Sequence, residues 1–558
     1  MSLVMKLILE ATAGRTLSHF GEQCRAPMPI QERLLAHILK DNRDSAFGRA
    51  HGFADIHSVG EFRKRVPIQT YDDHQPYIEK AMNGEPCQLT RAQPIFYATT
   101  SGTTGASKFI PVTEESRAAK SQLTRVALCS VYRDRPGVLS GRLLLVISPE
   151  AESYAPSGAP CGAESGHALR NMPKPLQSVY SSPYDVYLIK DYEARYYTLV
   201  RLAAGQPISL MIACNPSTIV LLADRLAQHS ESIVRDVRDG TLAVAEALPA
   251  QIRAAVQSIL RPDPARAREL ERAAAANDGV LMPKAIWPTL QGVNCWKGGT
   301  VGMYLEKFDR FLPKGLPVRD MGYVSSEHRG SVALTDEGSG GALAVPTNFY
   351  EFFPAEEDRK PRGLDLLGAD ELEVGQQYFI YVTTLGGLYR YDMNDIVEVV
   401  GRYENTPVIR FVQKGKGVVS FTGEKLYESQ VIAAVADALG PLQSRTEFIA
   451  AVGLLEGAAP RYVFLMEFED ELADDRATEL THRLDAALCE RNIEYAAKRE
   501  SKRLEGAGLR LIRRGEFDRY RTRQVAKGRV DAQFKILRLT ADPGFAAEFE
   551  VERKALAD

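Results

Sequence analysis

Between Tyr97 and Thr113 the chain reads YATTSGTTGASKFIPVT, and these residue types at this spacing suit the holding of an anion. Ser101, Thr103, Thr104 and Ser107 offer hydroxyl donors, Gly102 and Gly105 let backbone N–H groups come close to phosphate oxygens, and Lys108 adds a positive charge. The stretch is not a Walker A loop, because GxxxxGK[ST] places its lysine directly after glycine and here Ala106 and Ser107 intervene; nor does it contain GxGxxG. Phe109, Ile110 and Pro111 follow it, which predicts a strand, loop and strand rather than a strand, loop and helix. Composition alone fits a Ser/Thr/Gly surface loop equally well. A polyphosphate site needs further residues elsewhere in the chain.

Positioning such residues requires a large scaffold, and the composition supplies one. The 558 residues, 45% hydrophobic and 25% charged, are enough for two or more domains. A formal net charge of -3 argues against a protein built for a nucleic-acid backbone or an anionic membrane, and points to small partners. The seven cysteines (Cys24, Cys87, Cys129, Cys161, Cys214, Cys295, Cys489) show no CxxC and no metal-ligand spacing, as expected of a reducing compartment. The apolar run after Lys6 is broken by Glu10, short of the roughly 7–15 residues of a signal peptide core, and no window approaches the ~18 apolar residues of a membrane span. These features predict a cytoplasmic protein.

Three zones follow along the chain. Residues 1–90 read as a helical lead-in, with Leu34, Leu35, Ile38 and Leu39 at helical spacing. From about 91 to 410, runs such as GRLLLVIS, PISLMIA, QYFIYVTT and DIVEVVGRY alternate with helical patterns such as PSTIVLLADRLAQHS and DGTLAVAEALPAQIRAAVQSIL, the signature of an α/β domain. Beyond it comes a short succession of helix, strand, strand, helix and strand. Glycines on either side of Lys416 suggest a hinge over 414–417, dividing an N-terminal domain (1–413) from a small, mobile α+β C-terminal domain (418–558).

Two more stretches stand beside the first: GYVSSEHRG, Gly322 to Gly330, and GGLYRYDMNDIVEV, Gly386 to Val399. With TTSGTTGASK, they resemble the phosphate loop, the aromatic-small-Ser/Thr-Glu motif and the YRxGD-type motif of the adenylate-forming superfamily. Within it the chain is similar to the Gretchen Hagen 3, auxin-responsive, family of acyl acid amido synthetases. FGRAHGFADIHSVGEFRKRVPIQTYDDHQPYIEKAMNGEP, AIWP, VPTNFYEFFP, GLYRYDMND, TPVIRFVQK and AQFKILR occur in that family's order.

The resemblance implies ATP- and Mg²⁺-dependent adenylation of a small carboxylic acid, then acyl transfer to an amine, an amino acid in this family, to form an amide. It places Ser101, Gly102, Thr103, Thr104 and Lys108 on the phosphates, Glu327 on Mg²⁺, and Ser326 as a donor to the α-phosphate. Asp395 would take the ribose hydroxyls, Tyr323 and Tyr350 would face the adenine, and Lys414 would stand among the nucleotide-binding residues. Lys535, in AQFKILR, would reach the α-phosphate during adenylation. Leu123, Val126 and His328 would line the acyl pocket, His328 being alternatively a base or a packed side chain. The chain departs from plant members in its loop, where they are closer to SSGTSxGxxK, and at His328-Arg329. The identity of acid and amine is therefore left open. A ligase that makes a thioester on coenzyme A or a carrier, and a nucleotide-binding regulator without turnover, are the alternatives.

Overall fold

The apolar runs RLLL and ISLMI form strands Arg142–Leu145 and Ile208–Ile212, which pair in parallel and continue through Gly292–Asn294 to Val318–Arg319. A parallel sheet needs its apolar faces covered. Helices Tyr192–Ala204, Pro216–Gln228 and Ser230–Asp239 join these strands in one apolar cluster around Trp287, whose indole N–H donates to the carbonyl of Ala203 at 3.2 Å. The structure is a computed structural model and describes residues 3–99, 108–298, 304–356, 361–415, 418–419, 424, 426–442, 444–454, 459–500, 504–527, 536–540 and 542–557.

Two compact units divide the chain, Met1–Phe411 and Val412–Asp558. The first holds two further sheets. One runs in the order Asn348–Pro354, Gln377–Thr384, Tyr391–Tyr403, Thr406–Lys414, Gly341–Leu343 and Ser331–Val332. The other sets the antiparallel pair Phe96–Thr99 and Phe109–Val112 beside Pro160–Gly162 and Ser153–Tyr154. The stretch TSGTTGAS thus joins two adjacent antiparallel strands, with Thr99 opposite Phe109.

The lead-in is helical: Leu3–Arg25, Pro27–Asn42, Ala46–Ala50, Val59–Arg65 and Tyr71–Met82. Leu35, Ile38 and Leu39 are buried on the second of these helices, as their spacing requires. Gln31 on the same helix is also buried: its amide donates to the carbonyls of Val345 and Asn348 and accepts from the Tyr350 N–H, fastening the helix to the strand Asn348–Pro354. The long helix expected from DGTLAVAEALPAQIRAAVQSIL is only Ala250–Ile259. Pro249 forces Leu248 into extended backbone, with φ -87° and ψ 144°, so the helix starts after the proline.

In the second unit, helix Glu428–Leu439 precedes the antiparallel pair Thr446–Leu454 and Arg461–Phe468, followed by helix Asp474–Arg491 and strand Gly508–Ile512. Phe448 stacks on Phe517 and Phe549 at 4.5 and 5.1 Å to centre this core. The whole is a mixed α/β protein of several sheets flanked by helices, and among the described residues no helix is long and apolar enough to cross a membrane.

Candidate active site

Helix Glu114–Asp134 begins immediately after the strand Phe109–Val112, because Thr113 and Ser116 form a reciprocal cap: the Ser116 N–H donates to Thr113 Oγ1 and the Thr113 N–H to Ser116 Oγ, at 3.2 and 3.0 Å. The Thr113 hydroxyl also donates to the carbonyl of Leu385, tying the helix start to the Gly386 motif. This fixes Lys120, almost two turns in. Its ammonium donates to Glu164 Oε2 at 2.8 Å and to the carbonyl of Ser326 at 3.2 Å, which brings the helix against the Glu327 motif.

That motif is a tight turn. Val324 bridges Arg329, the Ser325 N–H donates to the carbonyl of His328 at 2.9 Å, and the Gly330 N–H donates to the carbonyl of Tyr323 at 2.7 Å. Gly322 opens it with φ +80°, and a Cβ there would collide with the carbonyl of Ser331. Asp320 holds the entry by accepting from the N–H groups of Gly322 and Lys297 at 2.6 and 2.7 Å; burial pushes its carboxyl up to about 6. At the tip, Ser326 Oγ donates to the carbonyl of Thr99, the residue before the Ser/Thr/Gly stretch. Glu327, with no ion pair or hydrogen bond among the described residues, lines a small cleft with Lys120, Ser116, Asn348, Thr384 and Gly386.

Asp395 lies where the pairing of Gln377–Thr384 with Tyr391–Tyr403 slips between Phe379 and Tyr381. Here the backbone stays in the strand and bulges, with Asn394 at φ +48°. The Tyr323 hydroxyl donates to Asp395 Oδ2 at 2.6 Å, joining two motifs 72 residues apart. Burial first, and the Asp395 charge second, raise this phenol well above its ordinary range, so it stays a donor.

The structure changes several of the expected roles. Tyr350 is 1% exposed, packed 5.8 Å from the His328 ring and 6.4 Å from Phe352, with its hydroxyl accepting from Asn348; it lies behind the site rather than on its surface. His328, also 1% exposed, is fixed between Tyr323 and Tyr350 and is a packed side chain, not a pocket wall. Leu123 and Val126 are used in packing against Phe20 and Cys24 of the first helix. Lys108 is exposed, its ammonium 5.1 Å from the centre of the Tyr71 ring. Lys414 closes the strand Thr406–Lys414. Ser101, Gly102, Thr103, Thr104 and Lys535 lie outside the described residues.

Sequence reasoning missed the groups that hold the motifs. Arg390, at φ +45°, places its buried guanidinium on both oxygens of buried Glu351 at 2.8 and 3.1 Å, and donates to the carbonyls of Val66 and Gly363. His74 accepts from the Tyr389 N–H at 3.0 Å through Nε2 and donates to the carbonyl of Thr70 through Nδ1. No local pattern marks such long-range pairs. Lys120, at the right helical offset from the capped start, had the only readable signal.

Models of three parts of one family match the chain: the GH3 family N-terminal domain over residues 16–318, its central domain over 341–414 and its C-terminal domain over 429–544. An indole-3-acetic acid-amido synthetase, GH3.6 of Arabidopsis thaliana, is 28% identical over 74% of this chain and 71% of its own length. A jasmonoyl-L-amino acid synthetase, JAR4 of Nicotiana attenuata, is 25% identical over 95% of both chains. Among solved structures, the GH3.15 acyl acid amido synthetase superposes with a TM-score of 0.86 over 97% of this chain and 96% of its own, at 22% identity. A 2-hydroxyisobutyryl-CoA ligase in its postadenylation state shares the fold more distantly, with a TM-score of 0.52 at 14% identity over 94% and 90% of the two chains.

Proposed function

The chain belongs to the GH3 family, and from this premise we propose that it is an ATP-dependent acid-amino acid ligase that adenylates a small carboxylic acid and passes the acyl group to an amine. The relatives are amido synthetases acting on an acid and, in the jasmonoyl enzymes, on an amino acid. The observation that carries the reading onto this chain is the turn at Ser325 to His328, which holds Glu327 in a cleft with Lys120 while Ser326 touches the carbonyl at the base of the Ser/Thr/Gly stretch.

In the first half-reaction a carboxylate oxygen bonds to the α-phosphorus of ATP and pyrophosphate leaves, giving an acyl-AMP. In the second the amine lone pair bonds to the acyl carbon, AMP leaves with that oxygen, and the amine loses a proton. This chain's residues orient and neutralise. Asp395, held by Tyr323, presents a carboxylate to hydroxyl donors of the nucleotide. Lys120 supplies positive charge to the acid's carboxylate, and Ser326 a hydroxyl near the reacting phosphate. Glu327 fits a Mg²⁺ ligand, since its carboxylate lies in the cleft without a partner among the described residues. A magnesium ion held there would neutralise phosphate charge as a Lewis acid.

Incubating the protein with ATP, Mg²⁺, single acids and pooled amino acids tests this. Pyrophosphate release that requires an acid, with an acid-amino acid conjugate found by mass, is the expected result. Product only with coenzyme A, or nucleotide binding without turnover, would overturn it.

A further inference from the structure

Arg329 stands on the return arm of the Glu327 turn and is only partly exposed. Its Nη1 donates to Thr124 Oγ1 at 3.1 Å and its Nη2 to the carbonyl of Met321 at 3.2 Å, while its buried Nε makes no hydrogen bond among the described residues. Among the described residues no carboxylate pairs with it. Glu164, whose charge acts on it, gives Oε2 to Lys120. Two other withdrawn guanidinia of the same unit are paired with carboxylates, Arg319 with Asp134 and Asp336, Arg390 with Glu351, whereas buried Arg201 is satisfied by the carbonyls of Thr241 and Asp236. A guanidinium drawn partly out of water without a carboxylate beside it is held at a cost in solvation. That cost falls if a ligand brings the missing anion.

Its place says which ligand. Thr124 and Lys120 are four residues apart on one helix face, so Arg329 bonds this helix about one turn, ~5.4 Å along the axis, beyond the position of Lys120. The charge of Arg329 is also felt by Cys214, just past the carboxyl end of the strand Ile208–Ile212, and ligands of open α/β sheets bind at such strand ends. Glu327 and Lys120 line the cleft beside Gly386, and Arg329 lies toward the sheet. An acid lying against Lys120 and reaching along this helix face meets a second cation at Arg329.

We propose that Arg329 is a specificity-determining residue that binds a second carboxylate on the acyl acid, so that the preferred substrate is a small dicarboxylic acid with one carboxylate adenylated and the other held by the guanidinium. This rests on the adenylating reading above. The alternative ligand, the α-carboxylate of the amino acid, enters only in the second half-reaction and is separable by experiment.

Pyrophosphate release, with no amine present, is compared for diacids and monoacids of equal carbon number in the wild type, Arg329→Met and Arg329→Lys. Wild type should prefer the diacid, Arg329→Met should reduce the diacid-to-monoacid ratio of kcat/KM about 10- to 100-fold, mainly through KM, and Arg329→Lys should restore part of it. A wild-type preference for monoacids, an unchanged ratio in Arg329→Met, or a loss confined to the amino acid KM in amide formation would overturn the proposal. Thermal stabilisation by the diacid alone, without ATP, is read in parallel. If no acid releases pyrophosphate, the adenylating reading fails. Stabilisation that Arg329→Met abolishes would still support the diacid site, and its absence in the wild type would remove it. Should Arg329→Met fail to fold, Arg329→Lys and Thr124→Val, which removes the hydroxyl holding Nη1, must each lower the same ratio, and no change in either would overturn the proposal.

Discussion

A carboxylate with no partner among the described residues and a phenol locked onto a buried aspartate are two kinds of polar group, and they should fail differently when changed. Glu327 makes no bond to the described residues, so Glu327→Ala should leave the melting temperature nearly unchanged and lower acid-dependent pyrophosphate release by ~10²-fold or more, judged by the loss of one positioned electrostatic group. Near wild-type release at saturating Mg²⁺ would remove it from the site. Tyr323→Phe deletes the 2.6 Å hydrogen bond to Asp395 and leaves that carboxylate less well oriented. A rise in the KM for ATP of about 10-fold is expected, of the size of one charge-assisted hydrogen bond, with less change in the KM for the acid. Equal effects on both would show that the pair only supports the fold. Glu327 and Asp395 were both legible in the sequence because their motifs are contiguous. The donor that orients Asp395 was not legible as such, because it lies 72 residues away and its meaning comes from the bulge that brings Asp395 to it.

At the level of elements, the site depends on two anchored segments. Gly322→Ala should destabilise the protein by at least ~1–3 kcal/mol, since the position combines φ +80° with a backbone carbonyl where the methyl would go; denaturant unfolding measures it, and a neutral result would contradict the tight-turn account. The Gly386 segment is held by the Arg390–Glu351 pair and by His74. Burial lowers the His74 pKa from 6.5 to about 4, and its neutral form alone both accepts from Tyr389 and donates to Thr70. A depressed pKa means that its contribution to stability is complete above about pH 6.5 and lost as the pH falls toward about 4. At ~1.4 kcal/mol per unit, wild type should lose up to ~3 kcal/mol relative to His74→Gln across that window, as read from unfolding free energies at several pH values; parallel pH profiles would be the contrary result. Most elements were legible, because helical and alternating patterns such as ERLLAHIL and QYFIYVTT coincide with their burial. The false helix before Pro249 shows apolar spacing outweighing a proline that should have been given priority. The clamps on Arg390 and Tyr389 carry no such signal, since their partners come from the lead-in helices and another strand.

On the scale of the whole molecule, two compact units share one chain, and GH3 family models match parts of both. Lys535 lies outside the described residues, and its proposed service to adenylation rests on the motif AQFKILR. Lys535→Ala, given ATP and free acid, should form acyl-AMP ~10²-fold more slowly, yet convert synthetic acyl-AMP and amine to amide at close to the wild-type rate. Comparable losses in both assays would make it a structural residue. Beneath all of these lies one claim, that the acid is activated on the α-phosphate. An acid labelled with ¹⁸O in its carboxylate decides it: after turnover with an amino acid, the account predicts one ¹⁸O in AMP and none in pyrophosphate, whereas label in inorganic phosphate alongside ADP, or AMP without label, would contradict it.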